Sequence, residues 1–204
     1  MPLFLVHGGL WEDIGTEWFW ARTGVVAGLT ALGHQVFAPD RPRQAPNWQV
    51  EADALAAALP MAGSVTVLAG SNGCSAAVRL ALSRPAGLDR LILAWPATAA
   101  DPVLDARQRE ELAGLGASGA VIDELLAGPT LRGVTDAELS SLAIPVAVMP
   151  STVDGPVHRW HTVDTLCRLI PGAVRLPACP EAPRPTFPPQ LPGFLASVDG
   201  FVRA

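Results

Sequence analysis

The sequence predicts a doubly wound α/β fold, with a mostly parallel sheet of about six strands, helices on both faces and a short helical cap insertion. Three observations carry that expectation. Short aliphatic and β-branched runs alternate with stretches of helical spacing through most of the chain. The 204 residues, half of them hydrophobic and only 16% charged, suit one domain spanning 1–204 with a sizeable core. One interval alone, 97–142, breaks the alternation and reads as two or three helices without a strand.

The apolar runs place strands at Leu3–Val6, Gln35–Ala38, Val65–Ala69, Leu91–Ala94, Pro145–Met149 and Val174–Leu176. Between them, Trp18–Leu32, Gln49–Ala58, Cys74–Leu82 and Thr162–Leu169 carry the spacing of crossover helices, and Leu191–Val202 that of a last helix covering the sheet. Within 97–142, "DARQREELAGL" and "AVIDELLAG" are helical. An insertion after a strand's carboxyl end reads either as a cap over a site or as plain surface helices. The segment "CPEAPRPTFPPQLP" is too rich in proline for a helix and too poor in N–H donors for a central strand, so an extended loop is expected there.

Composition narrows the chemistry. All fourteen basic residues are arginine, which excludes a Schiff-base or P-loop lysine. A net charge of −5 gives no electrostatic case for nucleic acid. The runs Leu91–Pro96 and Ile144–Pro150 are far too short to cross a bilayer, and "MPLFLVHGG" lacks the basic start of a signal peptide, so a cytoplasmic protein without a membrane partner is expected. Cys74, Cys167 and Cys179 are odd in number and show no C-x-x-C spacing, which reads as reduced thiols. His158, His161 and Asp164 would share one helical face, yet nothing resembles H-E-x-x-H, and no metal or other cofactor is expected. The expected partner is a small-molecule substrate, bound by a monomer or homodimer.

Two motifs stand out. "VTVLAGSNGCSAAVRLAL" passes from a strand into a helix with Ser71 at the join and the small residues Ala69 and Gly73 on either side. Such a serine is either a nucleophile lifted above the sheet on a sharp turn or a simple helix cap. Earlier in the chain, "FLVHGGLW" puts His7-Gly8-Gly9 after the first strand, where backbone N–H groups freed by glycine can point at a developing oxyanion. Trp11 and Trp95 stand at the carboxyl ends of strands, where such folds bind ligands, and with His7 and Leu10 they are the expected substrate pocket.

Together these segments resemble the α/β-hydrolase family over nearly the whole chain. "LFLVHGG" is similar to its oxyanion strand, "GHQVFAPDRP" to the next strand, "LAGSNGCSAA" to its nucleophile elbow and "LDRLILAWPA" to the strand that follows. "IPVAVMPSTVD" resembles the strand whose loop carries the family's acid, and "IPGAVRLPACPEAP" the last strand with its histidine loop. The family's first two strands have no counterpart, which implies a reduced version of the fold. The resemblance implies Ser71 as nucleophile, the N–H groups of Gly9 and Asn72 as oxyanion hole, and Asp154 as acid.

The sequence departs from the family at the base. Where the family's histidine would stand, it reads Ala178-Cys179-Pro180-Glu181. With Asp154 near an N-cap and Pro156 at a first helical position, His158 would lie in the first turn of the next helix, on the side of the sheet that carries Ser71. His158 is then either a surface or capping histidine or a relocated base. Asp101, after "AWPATAA", and Glu181 are alternative acid or base residues, although a free carboxylate is about two pK units too acidic for base work near neutrality. The leading expectation is an esterase or thioesterase of small hydrophobic acyl substrates with a non-standard or degenerate triad. Two others stand beside it: a non-hydrolytic cyclase, lyase or isomerase using the pocket and oxyanion hole, and a non-catalytic ligand-binding relative.

Overall fold

The computed structural model describes residues 1–61 and 63–204. Among them six strands form a single all-parallel sheet: β1 (Pro2–Val6), β2 (Gln35–Phe37), β3 (Val65–Gly70), β4 (Leu88–Ala94), β5 (Val146–Met149) and β6 (Val174–Arg175). Their order is β2-β1-β3-β4-β5-β6. The chain runs outward from β1 to β2, then crosses back to the other side of β1 and continues to β6. That reversal leaves a crevice between the carboxyl ends of β1 and β3, where open α/β sheets bind ligands.

Strand side chains alternate between two apolar layers. Phe4 and Val6 of β1 face the layer built with α2 (Trp48–Ala58) and α3 (Gly73–Ser83). Leu3 and Leu5 face the layer built with α1 (Val25–Ala31) and α8 (Leu191–Arg203). A strand buried on both faces reads as a continuous apolar run, and all six residues of β3 are buried.

The expected helix Trp18–Leu32 is broken in two. Glu17–Ala21 forms a π-helical turn that buries Phe19 and Trp20, and α1 starts only at Val25. Between them Gly24 has φ +84°, a left-handed conformation that ends one helical path and lets the next begin at a new angle. The interval 97–142 holds α4 (Pro102–Gly114), α5 (Gly119–Leu126) and α6 (Asp136–Ser140). Buried Arg132, from the α5–α6 connection, donates to Gln108 Oε1 and, at 3.0 Å, to Asp105 Oδ1, fastening these helices to α4. The proline-rich segment is a loop closed by a short 3₁₀ turn at Pro188–Gln190 and anchored by fully buried Phe187. The remaining helix, α7, spans Trp160–Leu169. Among the described residues, no helix is long and apolar enough to cross a membrane.

Candidate active site

Ser71 stands at the end of β3 with φ +52°, a left-handed conformation that strains a non-glycine residue by about 1–3 kcal/mol. Its N–H donates to Ala94 O at 3.0 Å and its carbonyl accepts from Cys74 N at 3.0 Å, so the turn is held from both sides. The small residues around it are required by packing. A Cβ on Gly73 would lie on the His7 carbonyl oxygen of β1's loop, and one on Gly70 would come within 2.6 Å of the Phe19 ring. Gly8 is constrained likewise, since a Cβ there would reach 2.5 Å from Phe19 and 3.0 Å from Ser71 Cβ. The loop after β1 and the turn after β3 therefore touch, backbone against backbone.

Ser71 Oγ lies 3.0 Å from His158 Nε2, and His158 Nδ1 lies 2.8 Å from Glu181 Oε1. The three side chains form one hydrogen-bonded chain over the carboxyl ends of β3, β5 and β6. A carboxylate can only accept, so Nδ1 carries the proton and the Nε2 lone pair faces the serine hydroxyl. His158 is held in place by its neighbours. Val157 O accepts from Thr98 N at 2.8 Å, and Arg159 N donates to Thr98 Oγ1 at 3.0 Å, pinning the backbone on both sides of the ring to the β4–α4 loop. Burial works against the charge on Glu181, but the His158 hydrogen bond, its own backbone N–H and the nearby Arg184 charge outweigh it and bring the carboxyl down to about 2. Glu181 is positioned through Cys179, whose carbonyl accepts from the buried Trp95 indole at 2.7 Å and whose N–H donates to Pro150 O at 3.0 Å.

Several expected site residues lie elsewhere. Asp154 does not reach His158; its Oδ1 accepts from Trp160 N at 2.8 Å and caps α7. The helix begins two residues beyond His158 and not before it, because Arg159 at the N-cap position gives no side-chain cap and Asp154 supplies one. Asp101 caps α4 through Val103 N and Leu104 N and pairs with Arg159 at 3.0 Å; those N–H groups and the guanidinium hold its carboxyl below the usual range. His7 faces away from the cavity. It is buried, with Nδ1 on Gly8 O at 2.8 Å and Nε2 accepting from Arg41 N at 2.9 Å, and burial together with the nearby Arg41 charge lowers it to about 4. Trp95 touches the cavity but is fully buried, packed against Phe194 with ring centroids 5.5 Å apart. His158 precedes α7 and Asp164 pairs with Arg175, so the face proposed for His158, His161 and Asp164 does not form.

A cavity of 330 Å³ opens over Ser71 and His158, and Gly9 and Asn72 are in its lining. Among the described residues, no acceptor takes up the N–H of either. Ile14, Trp18, Phe19, Leu104 and Val157 supply its apolar walls. Of these the sequence assigned none to the pocket, because Trp18, like Trp20, is explained equally well by core packing. Leu10 and Trp11 line a second recess of 370 Å³, which shares Glu12, Arg107, Gln108 and Glu111 with the first. Neither nearby cysteine is a rival to Ser71, since burial pushes the Cys179 thiol up to about 11 and that of Cys74 further still.

No sequence-family model and no curated protein matches this chain. Solved structures do. A thermophilic esterase from Thermogutta terrifontis is 19% identical, with a TM-score of 0.70 over 100% of this chain and 89% of that one. The meta-cleavage product hydrolase of Pseudomonas fluorescens is 18% identical, with a TM-score of 0.70 over 99% and 90%. A carboxylesterase from Bacillus subtilis is 16% identical, with a TM-score of 0.62 over 98% and 84%. At such identities the likeness is one of fold, and it agrees with the strand order and the switch point at β1 and β3. The chain has the α/β-hydrolase fold.

Proposed function

We infer that the protein is a serine hydrolase of small, hydrophobic esters or thioesters, with Ser71, His158 and Glu181 as its triad. The observation that carries this reading is the unbroken hydrogen-bonded chain from Ser71 Oγ through the imidazole to Glu181. Ser71 Oγ attacks the acyl carbon while His158 Nε2 takes its proton. The carbonyl oxygen, now negative, is received by the N–H groups of Gly9 and Asn72. Glu181 keeps the proton on Nδ1 and stabilises the imidazolium that forms. His158 then gives its proton to the departing alkoxide or thiolate, and the acyl-serine ester remains. A water attacks that ester by the same steps in reverse and frees the acid.

The walls favour an apolar acyl group of modest size, and α4 is the cap over it, contributing Leu104 and Arg107 to the lining. The absence of a histidine after β6 favours a non-hydrolytic reading, and the 3.0 Å contact of His158 Nε2 with Ser71 Oγ supports the hydrolytic one over it. A fluorophosphonate probe tests the proposal. Wild type is expected to be labelled at Ser71, with hydrolysis of short-chain nitrophenyl esters or acyl thioesters. Folded wild type that takes no label and turns over neither ester class overturns it.

A further inference from the structure

We propose that Arg41, a buried arginine outside the cavity, is the positioning residue that aims the Gly9 N–H at the reacting oxygen. The inference rests on the serine-hydrolase reading above. Arg41 follows β2, and its Nη1 donates to the carbonyls of three consecutive residues, His7 at 2.9 Å, Gly8 at 3.0 Å and Gly9 at 2.8 Å. Successive carbonyls of an extended chain point to opposite sides. Here they turn to the same side, which the φ of +89° at Gly9 permits and an ordinary L-residue rarely would.

The consequence follows from peptide geometry. A trans peptide carries its C=O and its N–H on opposite edges. With Gly8 O held on the guanidinium, the Gly9 N–H points away from Arg41, and Gly9 lines the cavity above Ser71. The next peptide gives an internal check. Gly9 O is also on Arg41, and the Leu10 N–H on its far edge donates to the Glu12 carboxylate, which lines the cavity. An anion already occupies the side to which this loop turns its donors.

Arg41 is itself fixed. Its Nε donates to Glu51 Oε2 at 2.6 Å, its backbone N–H donates to His7 Nε2, and its guanidinium lies 5.8 Å from the centre of the Trp48 ring. Both members of the Arg41–Glu51 pair are almost fully buried. A buried pair of this kind is often replaceable by apolar residues at little cost in stability. If its only work were structural, such a replacement would pass unnoticed in the kinetics.

The test is the double substitution Arg41→Met with Glu51→Leu. Its circular dichroism and KM are expected to stay close to wild type, while kcat falls about a hundredfold, the order of loss for one misplaced oxyanion donor. Affinity for a boronic acid, which mimics the tetrahedral oxyanion, is expected to fall in parallel. Hydrogen exchange of the Leu10 amide, read by NMR, gives a measure independent of turnover and is expected to accelerate about tenfold or more. An unchanged kcat, or unchanged exchange at Leu10, overturns the inference. Should the double variant not fold, Arg41→Lys keeps the charge opposite Glu51 but loses the planar fork, and a lowered kcat at unchanged KM and melting temperature is expected. Absence of fluorophosphonate labelling in wild type defeats the hydrolase reading, whereas Leu10 exchange still decides whether Arg41 orders the loop.

Discussion

His158 Nδ1 and Glu181 Oε1 meet at 2.8 Å across the gap between the loops that follow β5 and β6. The base of the proposed triad thus comes from the loop that the family resemblance assigns to the acid, and the acid from the loop it assigns to histidine. Exchanging the two leaves the spatial chain intact, because both loops rise over the carboxyl end of β3.

If the three groups act as one unit, their losses will not add. Ser71→Ala and His158→Ala are each expected to lower kcat by about 10⁴-fold or more, Glu181→Gln by about 10³–10⁴-fold, and the triple variant by little more than Ser71→Ala alone. Steady-state kinetics on a nitrophenyl ester that wild type accepts will show whether the losses multiply instead.

Asp154 behaves differently. Its carboxylate caps α7 through Trp160 N and does not touch His158, so Asp154→Ala is expected to cost about 1 kcal/mol in urea denaturation and to leave kcat within a few-fold. A collapse of kcat without loss of stability would return Asp154 to the role of acid.

The acid limb of stability tests Glu181. Its folded value of about 2 lies below its ordinary 4.5, so the unfolded chain takes up the proton first as pH falls. Its contribution is complete above 4.5 and disappears as pH drops towards 2. The stability gap between wild type and Glu181→Gln is therefore expected to narrow through that window in melting experiments, with a constant gap as the contrary result.

His7 makes the same argument at higher pH. Its folded value of about 4 against an ordinary 6.5 means that the neutral ring, accepting from Arg41 N, stabilises the fold above 6.5 and loses that contribution as pH falls towards 4. His7→Asn is expected to be less stable at pH 7 but flatter between 6.5 and 4, as thermal melts at a series of pH values will show.

The sheet was legible because its central strands are buried on both faces and stand out as apolar runs; even two-residue β6, at the edge, was marked by "AVRL". Ser71 and Gly9 were legible because a tight strand–helix turn and a close backbone approach admit few residues. Glu181 was read only as an alternative because the family resemblance assigns the acid to the loop after β5, which put Asp154 in that role. The deciding fact was local: α7 starts at Trp160, its first donors need an acceptor, and Asp154 is the one in reach. Arg41 carried no signal, since a lone arginine after a strand does not announce three carbonyl partners on another loop.

The exchanged loops bear on how this protein can be recombined with others of its fold. Grafting only the β5 loop from a protein of the usual order would bring in a second carboxylate and remove the imidazole. Grafting only the β6 loop would set two histidines face to face with no acid. Either chimera would keep its sheet and its serine yet lack a proton relay. On the proposed triad, only a transplant of both loops together preserves one base and one acid, so for shuffling the segments around 158 and 181 travel as a single unit.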